Sequence, residues 1–389
     1  MYREEQRRSP SQAGRPGRTR SVPDATHVLV LCYDDPQNPK SGGAPRYCFE
    51  MARRLVAAGY RVTWLSARFP GAPIQEDLDG VKIVRAGSEP TTFLHAMARV
   101  VGRYRDAVIF ESISGIPYFT PLLTHQPTLS MVHHVIPRET FVRKVGGLGL
   151  LLEFVQNRIS PRLYRDRPVI TNSRSTEAEL RTLGFRSIRV VRSGVDLPTK
   201  AELGGNVKEN LAVITGPLRP WKRVEHGLAA FAGLPTDWRL AVIGPFENAT
   251  YRGRLLEEAA RLGIAGRTVF TDRVPEPIKR GFYRRAKVAL VTSEKEGWGL
   301  SAVEPQTFGC AVVGYDVAGI RDSVGNGQTG VLVPSGDLGA LRQALVDLAA
   351  DTRRFERLAE AARNRFIDYT WDNVFSDFYG AFHEATVRR

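Results

Sequence analysis

The sequence predicts an α/β protein with two doubly wound, Rossmann-like domains that face a central cleft. Short apolar, β-branched segments alternate with helical periodicity, the alternation stops near residue 196 and restarts near residue 211, and each half opens on a strand and a glycine-containing loop. The 389 residues, 42% of them hydrophobic and 25% charged, suffice for two cores. We therefore expect a ligand site between two domains.

Residues 1–23 are predicted to be a disordered basic tail. They are rich in Arg, Ser, Pro and Gly and contain too little apolar surface to fold. An alternative role is weak attraction of this tail to an anionic lipid or polymer.

The first domain is assigned to residues 24–196. A strand at 27–33 is followed by the polar loop Ser41-Gly42-Gly43 and by a helix that stops at Gly59, an opening typical of doubly wound domains that lacks the full dinucleotide fingerprint. Asp77 and Asp79 have Asp-x-Asp spacing, but they lie in a polar stretch without a third ligand, so we interpret them as a loop and predict no metal site. Further strands are predicted at 61–66, 81–85, 107–111, 127–133, 168–172 and 187–192.

The second domain is assigned to residues 211–370, after a linker at 197–210 that contains Pro and Gly and lacks periodicity. Residues 371–389 form a predicted crossover helix, whose aromatic stripe from Trp371 to Phe382 should pack back toward the first domain. Strands are predicted at 211–215, 239–243, 268–271, 288–291, 311–315 and 330–333, and helices at 338–350 and 352–369.

The segment 293–309 has the strongest features of a ligand site. Gly297 and Gly299 permit close backbone approach, and the free N–H groups of a helix that begins near Leu300 favour an anion. Glu296 and Glu304 bracket this site with acceptors suited to sugar or ribose hydroxyls. As alternatives, Glu304 complements the helix dipole and Glu296 is solvated.

A formal net charge of +14 predicts an anionic partner, which is nucleic acid, an anionic membrane surface or a phosphorylated small molecule. Cys32, Cys48 and Cys310 have no metal or framework spacing, which favours reduced thiols. The sequence has no stretch of membrane-spanning length and no apolar segment after its basic amino terminus, so we expect a cytoplasmic protein.

Three motifs resemble the retaining glycosyltransferases of family 4, also called glycosyl transferases group 1, which have the GT-B fold. They are Gly216-Pro-Leu-Arg-Pro-Trp-Lys222, the segment 296–304, and Gly330-Val-Leu-Val-Pro334 after Asn326-Gly327. The resemblance covers roughly residues 26–385. It implies that the first domain takes the acceptor and the second binds the nucleotide sugar.

The resemblance also implies roles for individual residues. It assigns Arg219 and Lys222 to the donor diphosphate, Glu296 to the donor sugar, Glu304 to the ribose and His133 to the neighbourhood of the reacting sugar. As alternatives, Arg219 and Lys222 are two charges on an exposed loop, and His133 is a structural histidine. The resemblance also places Gly42 and Gly43 in the loop that covers the phosphates and Val274 near the nucleobase. The loop whose backbone amides meet the sugar and the diphosphate is matched by Gly297, Trp298, Gly299 and Leu300.

The implied activity is transfer of a hexosyl unit from a UDP-, GDP- or TDP-linked sugar to an acceptor hydroxyl with retention of configuration. The acceptor is a small molecule, a glycan or a lipid-linked sugar, and the resemblance implies no metal and no cofactor besides the nucleotide-sugar co-substrate. The alternatives are a sugar-nucleotide epimerase of the same architecture and a basic protein that binds nucleic acid or an anionic surface. Dispersed cations and the lack of a nucleic-acid module in the sequence argue against nucleic acid.

The apolar run from Leu148 to Phe154 suggests a peripheral contact with an anionic membrane at its inner face, because cations flank it. An ordinary amphipathic helix with a basic solvent face is the interpretation that we favour from the sequence alone. The flanking cations are Arg138, Arg143, Lys144, Arg158, Arg162, Arg165 and Arg167.

Overall fold

The computed structural model describes residues 26–39, 41–88, 91–204 and 208–387. The predicted tail, residues 1–23, lies outside the described residues, as do residues 205–207 of the predicted linker. Two separate sheets with helices packed on them form the described part of the chain.

Eight strands form the first sheet, in the order β3-β4-β2-β1-β5-β6-β7-β8. Every neighbouring pair is parallel except β3 and β4. The central strands are buried on both faces, which is why they appear in the sequence as continuous apolar runs. The strands β1 to β8 are His27–Leu31, Arg61–Ser66, Gln75–Leu78, Val81–Arg85, Val108–Ile113, Thr128–Val132, Val169–Thr171 and Ile188–Val190.

The helices of the first half cover both faces of this sheet and its carboxyl edge. They are α1 Gly43–Ala57, α2 Thr92–Val101, α3 Thr120–Leu123, α4 Arg138–Val145, α5 Leu148–Phe154, α6 Ser160–Leu163, α7 Arg174–Leu183 and α8 Lys200–Leu203, with a π-helical turn at Val155–Ile159. The short helix α8 lies within the predicted linker and begins with a capping box between Thr199 and Glu202.

The interpretation of the Asp77 segment as a loop is wrong for most of its length. Gln75–Leu78 forms β3, which pairs antiparallel with β4 at the edge of the sheet. The turn after it is closed by Asp77, whose Oδ1 accepts a hydrogen bond from the Gly80 N–H at 2.9 Å. An exposed edge strand needs no apolar run, which is why its sequence resembles a loop.

Six parallel strands form the second sheet, in the order β11-β10-β9-β12-β13-β14. They are β9 Glu209–Thr215, β10 Arg239–Ile243, β11 Thr268–Thr271, β12 Ala286–Val291, β13 Ala311–Tyr315 and β14 Gly330–Val333. The helices are α9 Val224–Phe231, α10 Ala249–Arg261, α11 Glu276–Arg285, α12 Leu300–Thr307, α13 Ile320–Ser323, α14 Leu338–Ala350, α15 Thr352–Arg365 and α16 Trp371–Val387, with 3₁₀ turns at Pro220–Lys222 and Ala265–Arg267.

Helix α16 returns to the first domain, as its aromatic stripe predicts. Trp371, Val374, Phe378 and Phe382 are buried in the same core as strands β1 and β5. The ring of Phe378 packs edge-on against Phe110 of β5 at a centroid distance of 5.0 Å.

Each sheet has one point at which the strand order reverses direction. This switch point lies between β1 and β5 in the first sheet and between β9 and β12 in the second. Doubly wound sheets bind ligands at the carboxyl ends of such strand pairs. Over the described residues, every helix is too short or too polar to cross a bilayer.

Candidate active site

The floor of the candidate site is formed by the loops that follow β9 and β12. The Thr292 hydroxyl donates to the carbonyls of Lys222 and Arg223 at 2.7 and 2.8 Å, and the Glu294 N–H donates to the Trp221 carbonyl at 2.8 Å. These bonds join the two loops at the switch point of the second sheet. The cations of the first loop therefore lie beside the carboxylates of the second.

Lys222 and Glu296 form an ion pair at this point. The Lys222 ammonium donates to Glu296 Oε1, which also accepts from the Ser293 hydroxyl at 2.7 Å. Burial raises the pKa of Glu296, but the charge and hydrogen bond of Lys222, the Ser293 hydroxyl and His134 together leave the pKa below its usual value. Glu296 is thus an anion with a cation already beside it. Arg219 lies in the same loop, with its guanidinium over the ring of Trp221 at 5.1 Å.

Glu304 is one turn into α12 and has both carboxylate oxygens engaged. Oε1 accepts from Arg46 at 2.7 Å, and Oε2 accepts from Lys279 at 2.8 Å and from the Tyr283 hydroxyl at 3.1 Å. Burial raises the pKa of Glu304, whereas Lys279 and Arg46 lower it further, so the group remains ionised.

The predicted glycine loop lies across the cleft from α12. A Cβ built on Gly43 would contact the Leu300 side chain at 3.4 Å, and Gly299, with φ of 80°, forms the N-cap of α12. Arg273 donates to the Ser41 carbonyl at 3.1 Å, which brings the segment with Val274 against the same loop. Gly42, Gly43, Val274, Gly299 and Leu300 therefore converge at one place.

Gly297 brings the two domains together. A Cβ at this position would lie 2.4 Å from the backbone oxygen of His133, at the end of β6. Such a distance leaves no room for a methyl group, and backbone atoms do not move aside as a flexible side chain does. The glycine is required here by the approach of the first domain.

Two of the predicted site residues, His133 and Trp298, have side chains that point away from the cleft. The His133 ring is buried and its Nε2 lies 3.0 Å from the Ser112 hydroxyl and 4.0 Å from Cys48 Sγ, within the first domain. Trp298 is buried against Val195, Val303 and Phe366 and stacks on Tyr369 at 6.0 Å. The Trp298 side chain therefore packs in a small core with Val303 of α12 and Val195 of the first domain.

Three cleft residues were not included in the predicted site. Arg46 and Lys279 hold Glu304, and His134 is close enough to Glu296, Lys222 and Lys295 for their charges to affect it. Burial, with His133 and Lys295, lowers the pKa of His134 to about 4, so its ring is neutral at pH 7. Arg46 and Lys279 had no sequence signal, because Arg46 lies 258 residues from Glu304 and Lys279 lies in a different helix. The sequence indicated His134 through its position directly after His133, which is a predicted site residue.

Together these residues can bind an anion and hydrogen-bonding hydroxyls at the same time. Arg219, Lys222 and the first N–H groups of α12 supply positive potential, and Glu296 and Glu304 supply acceptors. This combination suits a phosphorylated molecule that also carries hydroxyl groups.

Two family models match the chain. Residues 198–365 match Glycosyl transferases group 1, and residues 41–198 match Glycosyltransferase Family 4. The D-inositol 3-phosphate glycosyltransferase of Kribbella flavida is 34% identical over 91% of this chain and 93% of its own length. The protein of that name from Acidothermus cellulolyticus is 29% identical over 51% of this chain, and that match spans about half (46%) of the relative's length.

Solved structures share the fold over nearly the whole chain. Sucrose-phosphate synthase from Thermosynechococcus elongatus superposes with a TM-score of 0.78 at 20% identity, over 92% of this chain and 98% of the other. Anabaena HepE in complex with UDP and glucose superposes with a TM-score of 0.74 at 17% identity, over 92% and 100%. Both likenesses confirm the predicted two-domain architecture.

Proposed function

Because the chain belongs to the family 4 glycosyltransferases, which have the GT-B fold, we propose that it transfers a sugar from a nucleotide-linked donor to an acceptor hydroxyl with retention of configuration. The observation that carries this proposal is the meeting of Lys222, Glu296 and the amino end of α12 at the switch point of the second sheet.

The donor occupies the second domain in this proposal. Arg219 and Lys222 bind the diphosphate, Glu304 accepts from the ribose hydroxyls, and Val274 borders the nucleobase. A uridine nucleotide is the first candidate, because the similar HepE was crystallised with UDP and with UDP-glucose. GDP- and TDP-linked sugars are the other candidates.

Catalysis then depends on leaving-group stabilisation and positioning. As the bond from the anomeric carbon to the diphosphate oxygen breaks, negative charge grows on that oxygen, where Lys222, Arg219 and the α12 N–H groups neutralise it. The acceptor oxygen attacks on the same face, and its proton passes to a departing diphosphate oxygen. These protein cations do the work of charge neutralisation, so we expect turnover to survive chelation of divalent metals.

The catalytic proposal predicts that Arg219→Ala and Lys222→Ala each lower kcat by roughly 10²-fold or more, because each removes charge stabilisation that is greatest in the transition state. The assay is release of nucleoside diphosphate from UDP-, GDP- and TDP-sugars. Lys287→Ala is the matched control, since Lys287 lies at the opposite end of β12 and bonds to Asn210 at 2.5 Å. Near-normal turnover in both site variants would remove the basis for this assignment.

A further inference from the structure

The helical hairpin formed by α4, the turn Gly146-Gly147 and α5 presents an apolar surface to solvent; we call it the apolar hairpin. It holds six of the exposed large hydrophobic side chains of the described residues within thirteen positions. Clustering of this kind marks an interaction surface, whereas single exposed apolar residues are ordinary. The six, with 38–55% of each residue exposed, are Val142, Val145, Leu148, Leu150, Leu151 and Phe154.

The apolar hairpin is a rigid feature. A Cβ on the buried Gly149 would lie 2.5 Å from the backbone of Phe141, so the two helices touch at their backbones. The Gln156 side chain accepts from the Ile136 N–H at 2.8 Å and donates to the Ile136 carbonyl at 3.0 Å, which fixes both ends of the hairpin. The outward apolar side chains therefore have a defined position.

This surface lies at the mouth of the cleft. Helix α4 begins shortly after β6, whose end contacts Gly297, and Arg143 of α4 pairs with Glu294 of the second domain at 2.9 Å. Glu294 belongs to the loop that also carries Glu296. A partner that binds the apolar hairpin is thus close to the site of transfer.

Arginines lie at both ends of the apolar hairpin, which also carries Glu139 and Glu153. Arg138 is the first residue of the hairpin, and Arg158 and Arg162 lie about one and two helical turns beyond Phe154; all three are exposed. Apolar side chains bordered by arginines match a bilayer interface with anionic head groups. A symmetric contact with a second copy would instead bring the same arginines against each other.

We propose that the apolar hairpin docks on an anionic lipid bilayer and presents the cleft to an acceptor hydroxyl at that surface. The part of the proposal that concerns the acceptor rests on the proposed sugar transfer; the docking itself does not. Contact is peripheral, because the described helices are too short or too polar to span a bilayer.

The test is co-sedimentation of the full chain with vesicles of 30% phosphatidylglycerol in phosphatidylcholine and with pure phosphatidylcholine. The wild type should bind the anionic vesicles, and Leu150→Ser/Leu151→Ser should lower the partition coefficient at least about tenfold. Val269→Ser/Ile367→Ser is the matched control, because both residues are 55% exposed in the second half of the chain. It should bind as the wild type does.

A second experiment tests the role of charge by comparing Arg158→Gln/Arg162→Gln with the control Arg353→Gln/Arg357→Gln. Both control residues are exposed on α15. The first pair should weaken binding several-fold at low salt and the second should not. Absence of wild-type binding, or equal binding by the leucine variant, overturns the proposal. The proposal is also overturned if the wild type does not bind vesicles but forms a dimer that Leu150→Ser/Leu151→Ser dissociates. The apolar hairpin would then contact a second copy of the chain.

Nucleotide binding is measured on the same proteins. UDP, GDP and TDP are each tested, and equal thermal stabilisation of the wild type and the leucine variant by one of them separates docking from donor binding. Failure of the sugar-transfer proposal would remove that stabilisation from every protein and leave vesicle binding unchanged.

Discussion

At the scale of single residues, Glu111 is the clearest example of a buried group whose protonation depends on the fold. It lies fully buried in β5 and accepts from the hydroxyls of Ser130 at 2.6 Å, Thr120 at 3.1 Å and Tyr164 at 3.3 Å. Burial raises its pKa from 4.5 to about 7, against the effect of these hydroxyls. The native protein therefore retains a proton that the unfolded chain releases at lower pH.

This difference predicts that stability falls as pH rises from about 4.5 to about 7. Below that window both states are protonated, and above it the native state must hold a buried anion, so the loss over the full window is on the order of 3 kcal/mol. Glu111→Gln should lack this contribution. Urea unfolding of both proteins at pH 5 and pH 8 checks it, and an identical pH dependence in the two would contradict the assignment.

At the scale of elements, α16 ties the end of the chain to the first domain. Phe378 is fully buried against the strands, whereas Phe375 on the same helix is only partly buried. Phe378→Ala should therefore cost about 3–5 kcal/mol of unfolding free energy through lost burial and a cavity.

Denaturant unfolding measures this cost, and Phe375→Ala is the matched control with a smaller expected loss. Equal losses in the two variants would mean that α16 does not pack as observed. Hydrogen exchange should locate the weakening in the first domain.

Sequence patterns predicted an element well where a strand is buried on both faces or a helix has an apolar stripe, because either one gives a long apolar pattern. The strands Arg61–Ser66, Arg239–Ile243 and Gly330–Val333 have their predicted bounds, and so does Leu338–Ala350. The edge strand β3 was missed, because its side chains alternate between exposed and half-buried positions and Leu78 is the one apolar residue among its four. Pro305 lies beyond the first turn of α12, and this helix ends two residues later.

At the scale of the whole molecule, the candidate site depends on contacts between distant parts of the chain. Arg46 bridges Glu304 and Asp196, and Lys295 pairs with Glu179 at 2.7 Å. Local motifs could indicate Arg219, Lys222, Glu296 and Glu304, because these residues lie within two short segments, 216–222 and 296–304. The contact of Arg46 with Glu304 follows from how the domains meet, whereas the Lys279 contact and the direction of the His133 ring follow from packing within each domain. No local pattern encodes these contacts.

The close approach of the domains predicts a large effect of one methyl group. Gly297→Ala should force the His133 backbone away, lower kcat/KM at least about tenfold and destabilise the protein by roughly 1–3 kcal/mol. Gly253→Ala is the control, because a Cβ there meets no atom within 4 Å and helix propensity improves. Activity and unfolding assays test both variants, and wild-type behaviour of Gly297→Ala would contradict a closed cleft at this point.

The proposed sugar transfer requires that the second domain bind a nucleoside diphosphate through Glu304 and its neighbours. The most direct measurement is thermal stabilisation by UDP, GDP, TDP and ADP of the wild type, of Glu304→Ala and of the control Glu258→Ala, whose carboxylate pairs with Arg261 on the surface. We expect one nucleotide to stabilise the wild type and the control by about 2.7 kcal/mol at a hundred times Kd, and this stabilisation to be lost in Glu304→Ala. No stabilisation of the wild type by any of the four, or equal stabilisation of Glu304→Ala, would contradict it.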